Sequence, residues 1–333
     1  MILVIGATGY IGRYFCTEMV KKGVEVLALG RSEKVAGFFR DNKVPFQYFD
    51  LNSEDSFDKL PLQDVDAIID LSACLAEVET PVERFFEVNT VGVYKVLNYA
   101  YKHGIKKVVI ASSHKVYNDI NKSIISETDG ICFKGDHSPY IISKIAAENF
   151  VTWFNKDYDM NAIALRFTGV HGYGEILGHL DTDGSYKKST FEIFFEKALK
   201  GEQIEVWGNQ DIKRDHVYIK DVVNALYKAA ISGEAKGIFN IASGVGYSQY
   251  EEAVALAEVF QLCDKKSDIV CFPEKKGLER GYIYDISKAE KELDWKPQYA
   301  DLLTMLRDYR REWESKKYHN YHYIKEVDRP ATL

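Results

Sequence analysis

Short, almost wholly apolar runs alternate with amphipathic stretches over the first half of the chain, and this alternation constrains the fold most. The runs are ILVIG, VEVLALG, FQYFD, AIIDLSA, VVIASS and AIALRF, and their Val and Ile content is typical of β-strands. The stretches YIGRYFCTEMVKKG and RFFEVNTVGVYKVLNYAYKHG predict helices, the second ending at Gly104. Strands that are apolar on both faces and separated by helices predict an α/β fold with a doubly wound parallel sheet.

The alternation persists to about Gly172 and is followed by an irregular stretch. Beyond it, TFEIFFEKALKG, YSQYEEAVALAEVFQL and SKAEKELDW predict helices, and QIEVWG predicts a strand, of a second lobe. A chain of 333 residues exceeds one domain of ordinary size. We therefore expect a first domain over 1–172 with about 212–243, and a smaller α/β lobe over 173–211 and 244–333.

Composition limits the classes of binding partner and the cellular compartment that we expect for the protein. The net charge of −7 provides no basic stripe for nucleic acid, and no apolar run is long enough to cross a bilayer. The five cysteines have neither CxxC nor zinc-site spacing, which favours a reducing compartment. No signal peptide precedes the first apolar run. These features predict a soluble cytoplasmic protein with neither nucleic-acid nor membrane partners.

Three glycines, Gly6, Gly9 and Gly12, stand where the first strand runs into the first helix. Glycines at such a turn allow it to tighten, let the backbone approach a pyrophosphate, and let the helix pack on the strand. The helix N-terminus adds free N–H groups that favour phosphate. The GxxGxxG spacing in this position predicts a Rossmann-type dinucleotide-binding domain.

The end of the second strand distinguishes NAD from NADP. An acid there binds the ribose hydroxyls, whereas an arginine accommodates a 2′-phosphate. Gly30 stands at the acid's position and is followed by Arg31 and Ser32, and Arg13 could reach the same end of the cofactor. NADP is therefore favoured over NAD, with Glu33 pointing weakly the other way.

Tyr140 and Lys144 lie four residues apart in SPYIISKIAAENF and thus on one face of a predicted helix. An ammonium group and a cationic nicotinamide ring beside the phenol would lower its pKa and make it a general acid and base. Ser112 and Ser113 end the strand VVIASS, at the edge where such sheets bind ligands. A hydroxyl there can share the proton and orient a substrate oxygen.

With these motifs in order, the sequence resembles the extended short-chain dehydrogenases/reductases of the NAD-dependent nucleotide-sugar epimerase/dehydratase family. The resemblance covers nearly the whole chain and rests on GATGYIG, AIIDLSA, NTVG, SSHKVY, YIISK, LRFTGVHGYG, KRDHVYIKDV, GIFNIASG and SKAEKELDWKP. It implies an enzyme with Ser113, Tyr140 and Lys144 as the catalytic residues. It also implies a homodimer, formed by the helix through Asn89 and the helix that carries Tyr140.

The resemblance further implies which residues contact each ligand. Asn89 corresponds to a position near the catalytic lysine, although an N-cap or a helix-packing role is equally open. Substrate contacts are expected at Ser113, His114, Arg214 and Lys275, with Lys276 as the alternative to Lys275 and a solvated charge pair as the alternative to both. Cofactor contacts are expected at Gly6, Thr8, Gly9, Tyr10, Ile11, Gly12, Arg31, Ser32, Asp50, Leu51, Leu71, Ser72, Ala73, Asn89, Tyr140 and Lys144.

The choice among reactions rests on few residues. His114 and Lys115 follow the catalytic hydroxyl, where the family's 4,6-dehydratases carry an acidic pair, so dehydration is not expected. We predict a nucleotide-sugar epimerase that transfers hydride at a sugar carbon, C4 being favoured, through a keto intermediate with Tyr140 as the acid and base. An NADPH-dependent nucleotide-sugar 4-ketoreductase is the alternative, and a non-catalytic NADP-binding sensor is a weaker one. His319 and His322 lack a third ligand, so no metal site is predicted.

Overall fold

The computed structural model describes residues 1–75, 80–118, 120–131, 137–174, 178–180, 185–261 and 265–318. Within them lie sixteen strands: β1 (Ile2–Ile5), β2 (Val26–Gly30), β3 (Phe46–Tyr48), β4 (Ala67–Asp70), β5 (Lys107–Ser113), β6 (Ile124–Ile125), β7 (Ile163–Phe167), β8 (Gly169–His171), β9 (His179–Leu180), β10 (Tyr186–Lys187), β11 (Ile204–Trp207), β12 (Lys213–Tyr218), β13 (Gly237–Ile241), β14 (Gly246–Ser248), β15 (Ile269–Phe272) and β16 (Ile283–Tyr284).

The same residues form eleven α-helices: α1 (Tyr10–Lys21), α2 (Ala36–Asp41), α3 (Glu54–Asp58), α4 (Val82–Phe86), α5 (Val93–Lys102), α6 (Pro139–Asp157), α7 (Thr190–Lys200), α8 (Ile219–Ile231), α9 (Gln249–Val259), α10 (Ser287–Leu293) and α11 (Leu302–Ser315). A π-helical segment, Glu87–Gly92, joins α4 to α5, and a 3₁₀ turn, His114–Tyr117, follows β5. None of the described helices is long and apolar enough to cross a membrane.

Seven strands form one parallel sheet in the order β3-β2-β1-β4-β5-β7-β13. The chain progresses outward in one direction from β1 to β3 and in the other from β4 onward. Such a reversal creates a crevice at the carboxyl ends of the strands, where these sheets bind ligands. The predicted doubly wound, Rossmann-type α/β fold is confirmed.

Both faces of the sheet are buried under helices. Val4 and Ile69 face a core formed with α1 and α8, whereas Leu3 and Ile68 face a second core with α5 and α6. All four side chains are fully buried, and each such side chain contributes about 1.5–3 kcal/mol relative to an exposed one. Burial on both faces explains why these strands are almost continuously apolar rather than alternating.

The six predicted strands of the first domain correspond to β1, β2, β3, β4, β5 and β7. The seventh strand of the sheet, β13, was not predicted as a strand. It pairs with β7 in the register Gly237↔Ile163. More than seventy residues separate the two strands in sequence, so no local pattern connects them. The strand joins the sheet because Phe239 and Ile241 are buried there.

The remaining strands form smaller sheets of two or three strands. Strand β12 pairs in parallel with β8 and antiparallel with β14, and β11 pairs with β15. Helix α9 packs between α7 and α11, and Phe195, Phe260 and Tyr309 fill that contact with aromatic rings. The predicted elements α7, α9, α10 and β11 are confirmed, whereas the domain boundaries stay a prediction.

Candidate active site

The turn between β1 and α1 has the shape that a pyrophosphate requires. Gly6 has a φ of +74°, and a Cβ on it would lie 2.7 Å from the backbone of Leu71 and Ser72. A Cβ on Gly12 would lie 2.5 Å from the Cα of Ala7, so only glycine lets α1 pack this closely on the strand. Gly9 precedes α1, and no side chain caps that helix. The first N–H groups of α1 are thus available to phosphate, and the site fits a dinucleotide.

The end of β2 has no room for an acid. A Cβ on Gly30 would lie 2.6 Å from Cγ2 of Thr8, so the two positions are sterically coupled. Arg31 is exposed beyond this point. The hydroxyl of Ser32 is buried and has no hydrogen-bond partner within the described part of the chain. This end of the site therefore presents a cation and an unpaired hydroxyl, both of which suit a phosphate.

Arg13 lies beside α2, the helix that follows Ser32, and a contact with the ribose end of the cofactor stays a prediction. Its side chain is buried, Nε donates to the carbonyl of Gly9 at 3.2 Å, and the guanidinium lies 5.9 Å from the Phe38 ring centroid. Arg13 thus supports the glycine turn from beneath. Tyr10 and Ile11 occupy the first turn of α1 and pack against the core.

Asp50 and Leu51 follow β3 at the same edge of the sheet. The Asp50 carboxylate accepts a hydrogen bond from the backbone N–H of Asn52 at 3.0 Å, and the Asp50 side chain is half-buried. Leu51 is buried, and a Cβ on Gly92 would lie 2.3 Å from its Cδ2. Leu51 therefore anchors this loop against the helix that carries Asn89.

The sequence did not single out Asp70, although it ends β4 beneath the glycine turn. Its Oδ1 accepts the backbone N–H and the hydroxyl of Ser72 at 2.9 and 2.5 Å. Burial raises the pKa of Asp70, and the bonds from Ser72 and the charge of Lys144 oppose that rise. The carboxyl thereby fixes the segment Leu71–Ala73 that lines the floor of the predicted cofactor site.

Asn89 links the cofactor side of the site to the catalytic helix. Its Oδ1 accepts the N–H of Cys74 at 2.8 Å, and its Nδ2 donates to the Cys74 carbonyl at 3.1 Å and to the Ser143 hydroxyl at 3.0 Å. The side chain is fully buried. Asn89 does not cap a helix, because it lies inside the π-helical segment. Its hydrogen bonds place it in a positioning role beside Lys144.

Ser113, Tyr140 and Lys144 come together at the carboxyl ends of β5 and β4. Ser138 caps α6 and Pro139 occupies its first turn, which places Tyr140 at the helix start. The Lys144 ammonium lies 5.9 Å from the Tyr140 ring centroid and donates to the Ala111 carbonyl at 2.8 Å. The three predicted catalytic side chains therefore share one site.

Burial dominates the acid–base properties of this group. It raises the pKa of Tyr140, and hydrogen bonding by Ser113 opposes the rise. Burial lowers the pKa of Lys144 to about 8, although the carboxylates of Asp70 and Glu148 act to raise it. The lowered tyrosine pKa expected from the sequence is thus not produced by the protein side chains alone, because desolvation of the phenol outweighs the hydrogen bond with Ser113.

A buried network beneath the site holds β5, α6 and β7 in register. Arg166 forms two hydrogen bonds with Glu148, Nε–Oε1 at 2.8 Å and Nη2–Oε2 at 2.6 Å, and also bonds to the Tyr117 hydroxyl. Ser112 donates to Glu148 at 2.5 Å. Ser112 thus serves this network, which leaves the neighbouring Ser113 as the hydroxyl of the site.

Arg214 lines a cavity of about 260 Å³ that is formed by β8, β12, β14 and the first turns of α7 and α9. The start of α7 at Thr190 and the side chains of His171, His216 and Glu252 line the same cavity. Burial lowers the pKa of His171 to about 4 and raises that of Glu252 to about 7. One permanent cation and a helix N-terminus thus face a largely uncharged pocket, a setting suited to phosphate.

His114 follows Ser113 and is held by aromatic neighbours. Its Nδ1 lies 2.9 Å from the Tyr284 hydroxyl. Burial, together with the positive charges of Lys115, Arg214 and Arg280, lowers the pKa of His114 to about 3. His114 is therefore a neutral imidazole at physiological pH.

Lys275 does not line the cavity with Arg214. Its ammonium pairs with Glu205 at 2.9 Å and lies 4.6 Å from the Trp207 ring centroid and 4.0 Å from that of Phe272. Lys276 is exposed and pairs with Glu279 at 2.9 Å. A role for either lysine in binding substrate stays a prediction.

Arg280 is a residue that the sequence did not indicate. Its guanidinium donates to the carbonyls of Tyr117, Asn118 and Ile120, and its own carbonyl accepts Nε of Arg214 at 3.1 Å. Arg280 thus ties the diphosphate side to the loop after Ser113. Only the tertiary fold reveals it, since more than 160 residues separate the partners.

Some residues of the metal and cysteine predictions lie outside the part of the chain that the structure describes. His319 and His322 lie outside the described residues, as do Cys132 and Cys263. Within the described ranges, no group of three or more His, Cys, Asp or Glu could hold a metal ion. Cys16 and Cys271, which are described, are free thiols.

The chain is similar in sequence and in fold to known proteins over nearly its whole length. The sequence is 26% identical over 340 residues to the UDP-glucose 4-epimerase of Halalkalibacterium halodurans, covering 96% of this chain and 97% of that protein. It is 23% identical over 308 residues to the dTDP-4-dehydro-6-deoxyglucose reductase of Escherichia coli, covering 89% and 92%. The fold is similar to the crystal structure of Thermotoga maritima UDP-glucose 4-epimerase with UDP-glucose, with a TM-score of 0.73, 25% identity, and coverage of 95% and 99%.

The model of one protein family matches residues 2–242, the region that contains the glycine turn, the Ser-Tyr-Lys group and Arg214. This match covers well over half of the chain. The chain therefore belongs to the NAD dependent epimerase/dehydratase family.

Proposed function

We propose that the protein is a nucleotide-sugar epimerase that inverts a hydroxyl-bearing carbon, C4 being favoured, through a keto intermediate. One observation carries the proposal: Ser113, Tyr140 and Lys144 meet at the carboxyl edge of the sheet, where the glycine turn also lies, and His114, the residue after Ser113, contacts the same Tyr282 ring as Arg214. That arrangement suits a sugar whose reacting carbon lies at Tyr140 and whose diphosphate lies at Arg214. The similarity to UDP-glucose 4-epimerases supports the same reaction.

NAD(P), when bound, accepts hydride from the sugar carbon and returns it. The protein supplies the proton transfers. As the C4 hydroxyl becomes a carbonyl, Tyr140 takes its proton and Ser113 holds its oxygen. The form of Tyr140 that accepts the proton is its phenolate, which is stabilised by the ammonium of Lys144; Ala111 in turn orients this ammonium. After the keto sugar has rotated so that its opposite face receives the hydride, Tyr140 returns the proton. Neither protons nor electrons are gained or lost overall.

We infer NADP as the preferred cofactor. Gly30 cannot be replaced by an acid while Thr8 stays in place, and Arg31 is exposed at the position that meets a 2′-phosphate. This preference also supports the second candidate, a nucleotide-sugar 4-ketoreductase, because NADPH is the usual reductant. The similarity to dTDP-4-dehydro-6-deoxyglucose reductase favours it too.

We propose a homodimer built on α5 and α6. The rings of Tyr94, Phe150, Trp153, Tyr158 and Tyr101 form a continuous patch along these helices, with centroid separations of 4.7 to 6.2 Å. Three of these side chains are exposed, and contiguous apolar surface of this kind marks an interface.

Among the described cysteines, Cys16 and Cys271 are free thiols, which supports a reducing compartment, and we propose the cytoplasm.

The test begins with the freshly purified protein. It is denatured and the released nucleotide is identified by mass and absorbance, and conversion of UDP-glucose to its C4 epimer is measured in parallel. Retained NAD(P) with conversion and without added reductant supports the epimerase. An empty protein that consumes NADPH with a keto sugar supports the reductase. Tyr140→Phe is the control, which should keep the nucleotide and lose conversion. If neither dinucleotide binds, both enzymatic proposals are wrong.

A further inference from the structure

Lys115 is a cation beside the reacting group that the proposed mechanism does not use. Its backbone N–H donates to the Ser113 hydroxyl at 3.2 Å, so the residue is fixed next to the site. Its ammonium lies 5.9 Å from the Tyr140 ring centroid, at the same distance as that of Lys144. Two ammonium groups therefore flank one phenol.

The two lysines differ in exposure and in bonding. Lys144 is buried, with only 2% of its surface exposed, and its ammonium is bonded to Ala111. Lys115 is exposed, and among the described residues no carboxylate forms an ion pair with it. Lys144 thus belongs to the interior of the site, whereas the side chain of Lys115 is exposed to solvent. A flexible four-carbon stem allows its ammonium to move toward a ligand.

The charges around the site support an anionic group on the substrate. Lys115, Arg214 and Arg280 all act on His114, which is itself neutral. Arg214 lies in the cavity, and Arg280 is bonded to backbone carbonyls. A diphosphate at Arg214 leaves Lys115, whose ammonium lies beside the Tyr140 ring, without a counter-charge.

We propose that Lys115 selects nucleotide-linked sugars that carry a carboxylate two carbons from the reacting carbon. On a hexose oxidised at C4, this carboxylate is C6, one carbon beyond C5. The inference rests on the proposed function, since Tyr140 must mark the position of C4. Lys115 is a specificity residue that binds the substrate, and the protons are still moved by Tyr140.

The experiment compares UDP-glucuronic acid with UDP-glucose as substrates of the holoenzyme. A charge-assisted hydrogen bond contributes roughly tenfold to a hundredfold in affinity. We expect kcat/KM for the acid to exceed that for the neutral sugar by about this factor in the unmodified protein. Lys115→Met should reduce the acid-to-neutral ratio by at least tenfold, mainly through KM, and Lys115→Arg should restore part of it. Lys59→Met, an exposed lysine beyond α3, is the matched control and should keep the ratio.

Calorimetric binding of the same two sugars separates this inference from the proposed function. Preferential binding of UDP-glucuronic acid that is lost in Lys115→Met supports the substrate class even if the reaction differs from epimerisation. An unchanged ratio in Lys115→Met overturns the inference and leaves the epimerase intact. Equal losses for both sugars with a shifted pH profile also overturn it, because Lys115 would then act on the phenol of Tyr140. Circular dichroism of each variant checks folding.

Discussion

Replacing Asn89 with alanine tests whether the link between the cofactor side and the catalytic helix matters to the reaction. The change removes three hydrogen bonds of 2.8, 3.1 and 3.0 Å from a fully buried side chain. Each contributes about 1 kcal/mol net, and stranded partners add to the loss. Ser143 keeps its bond to the Tyr140 carbonyl at 2.7 Å, which limits the total. We therefore expect a loss of about 2–4 kcal/mol in the free energy of unfolding.

Thr90→Val is the matched control, because Thr90 is the neighbouring residue and donates one hydrogen bond to the Ser143 carbonyl at 2.9 Å. It should cost about 1 kcal/mol. Urea unfolding measures both variants, and the Kd for NAD(P) and kcat are measured on the same samples. Because Asn89 holds Cys74 and Ser143 together, its variant should also retain cofactor less well and turn over more slowly. If Asn89→Ala is destabilised but has the same Kd and kcat as Thr90→Val, the positioning role is refuted, and Asn89 contributes only to the stability of the fold.

Four further predictions concern charge. The lowered pKa of Lys144, about 8, predicts that kcat/KM falls as pH rises through 8, because the ammonium is lost; a falling limb near pH 10 in the rate profile would contradict this. Between about pH 8 and 10.4 the unfolded chain binds more protons at Lys144 than the folded chain does, so the contribution of this lysine to the free energy of unfolding should rise with pH. Lys144→Met should abolish this rise, as measured by urea unfolding at several pH values. Arg31→Asp should weaken NADPH binding roughly tenfold to a hundredfold with little effect on NADH, measured by fluorescence titration; equal effects on both would place Arg31 outside the 2′-phosphate site. Glu148→Gln should destabilise the protein by about 3–5 kcal/mol, since it leaves the Arg166 guanidinium buried without its counter-charge; a loss near 1 kcal/mol in chemical unfolding would mean that the pair is hydrated.

Six strands, the glycine turn and the Tyr140–Lys144 pair were predictable because each is a local pattern. Apolar runs record burial on both faces, the glycines record a close backbone approach, and a spacing of four places two side chains on one helix face. Family motifs added Ser113 and Arg214, and the structure brings Ser113 to Tyr140 and Arg214 to the neighbouring cavity.

The tertiary structure decided what local patterns cannot encode. It joined β13 to the sheet, and it placed Asp70 and Asn89 beneath the cofactor side. It also raised rather than lowered the pKa of Tyr140, because desolvation depends on everything packed around a group. It paired Lys275 with Glu205 and turned Lys115 toward the catalytic phenol, because the partners of a charged side chain are set by contacts between residues far apart in the chain.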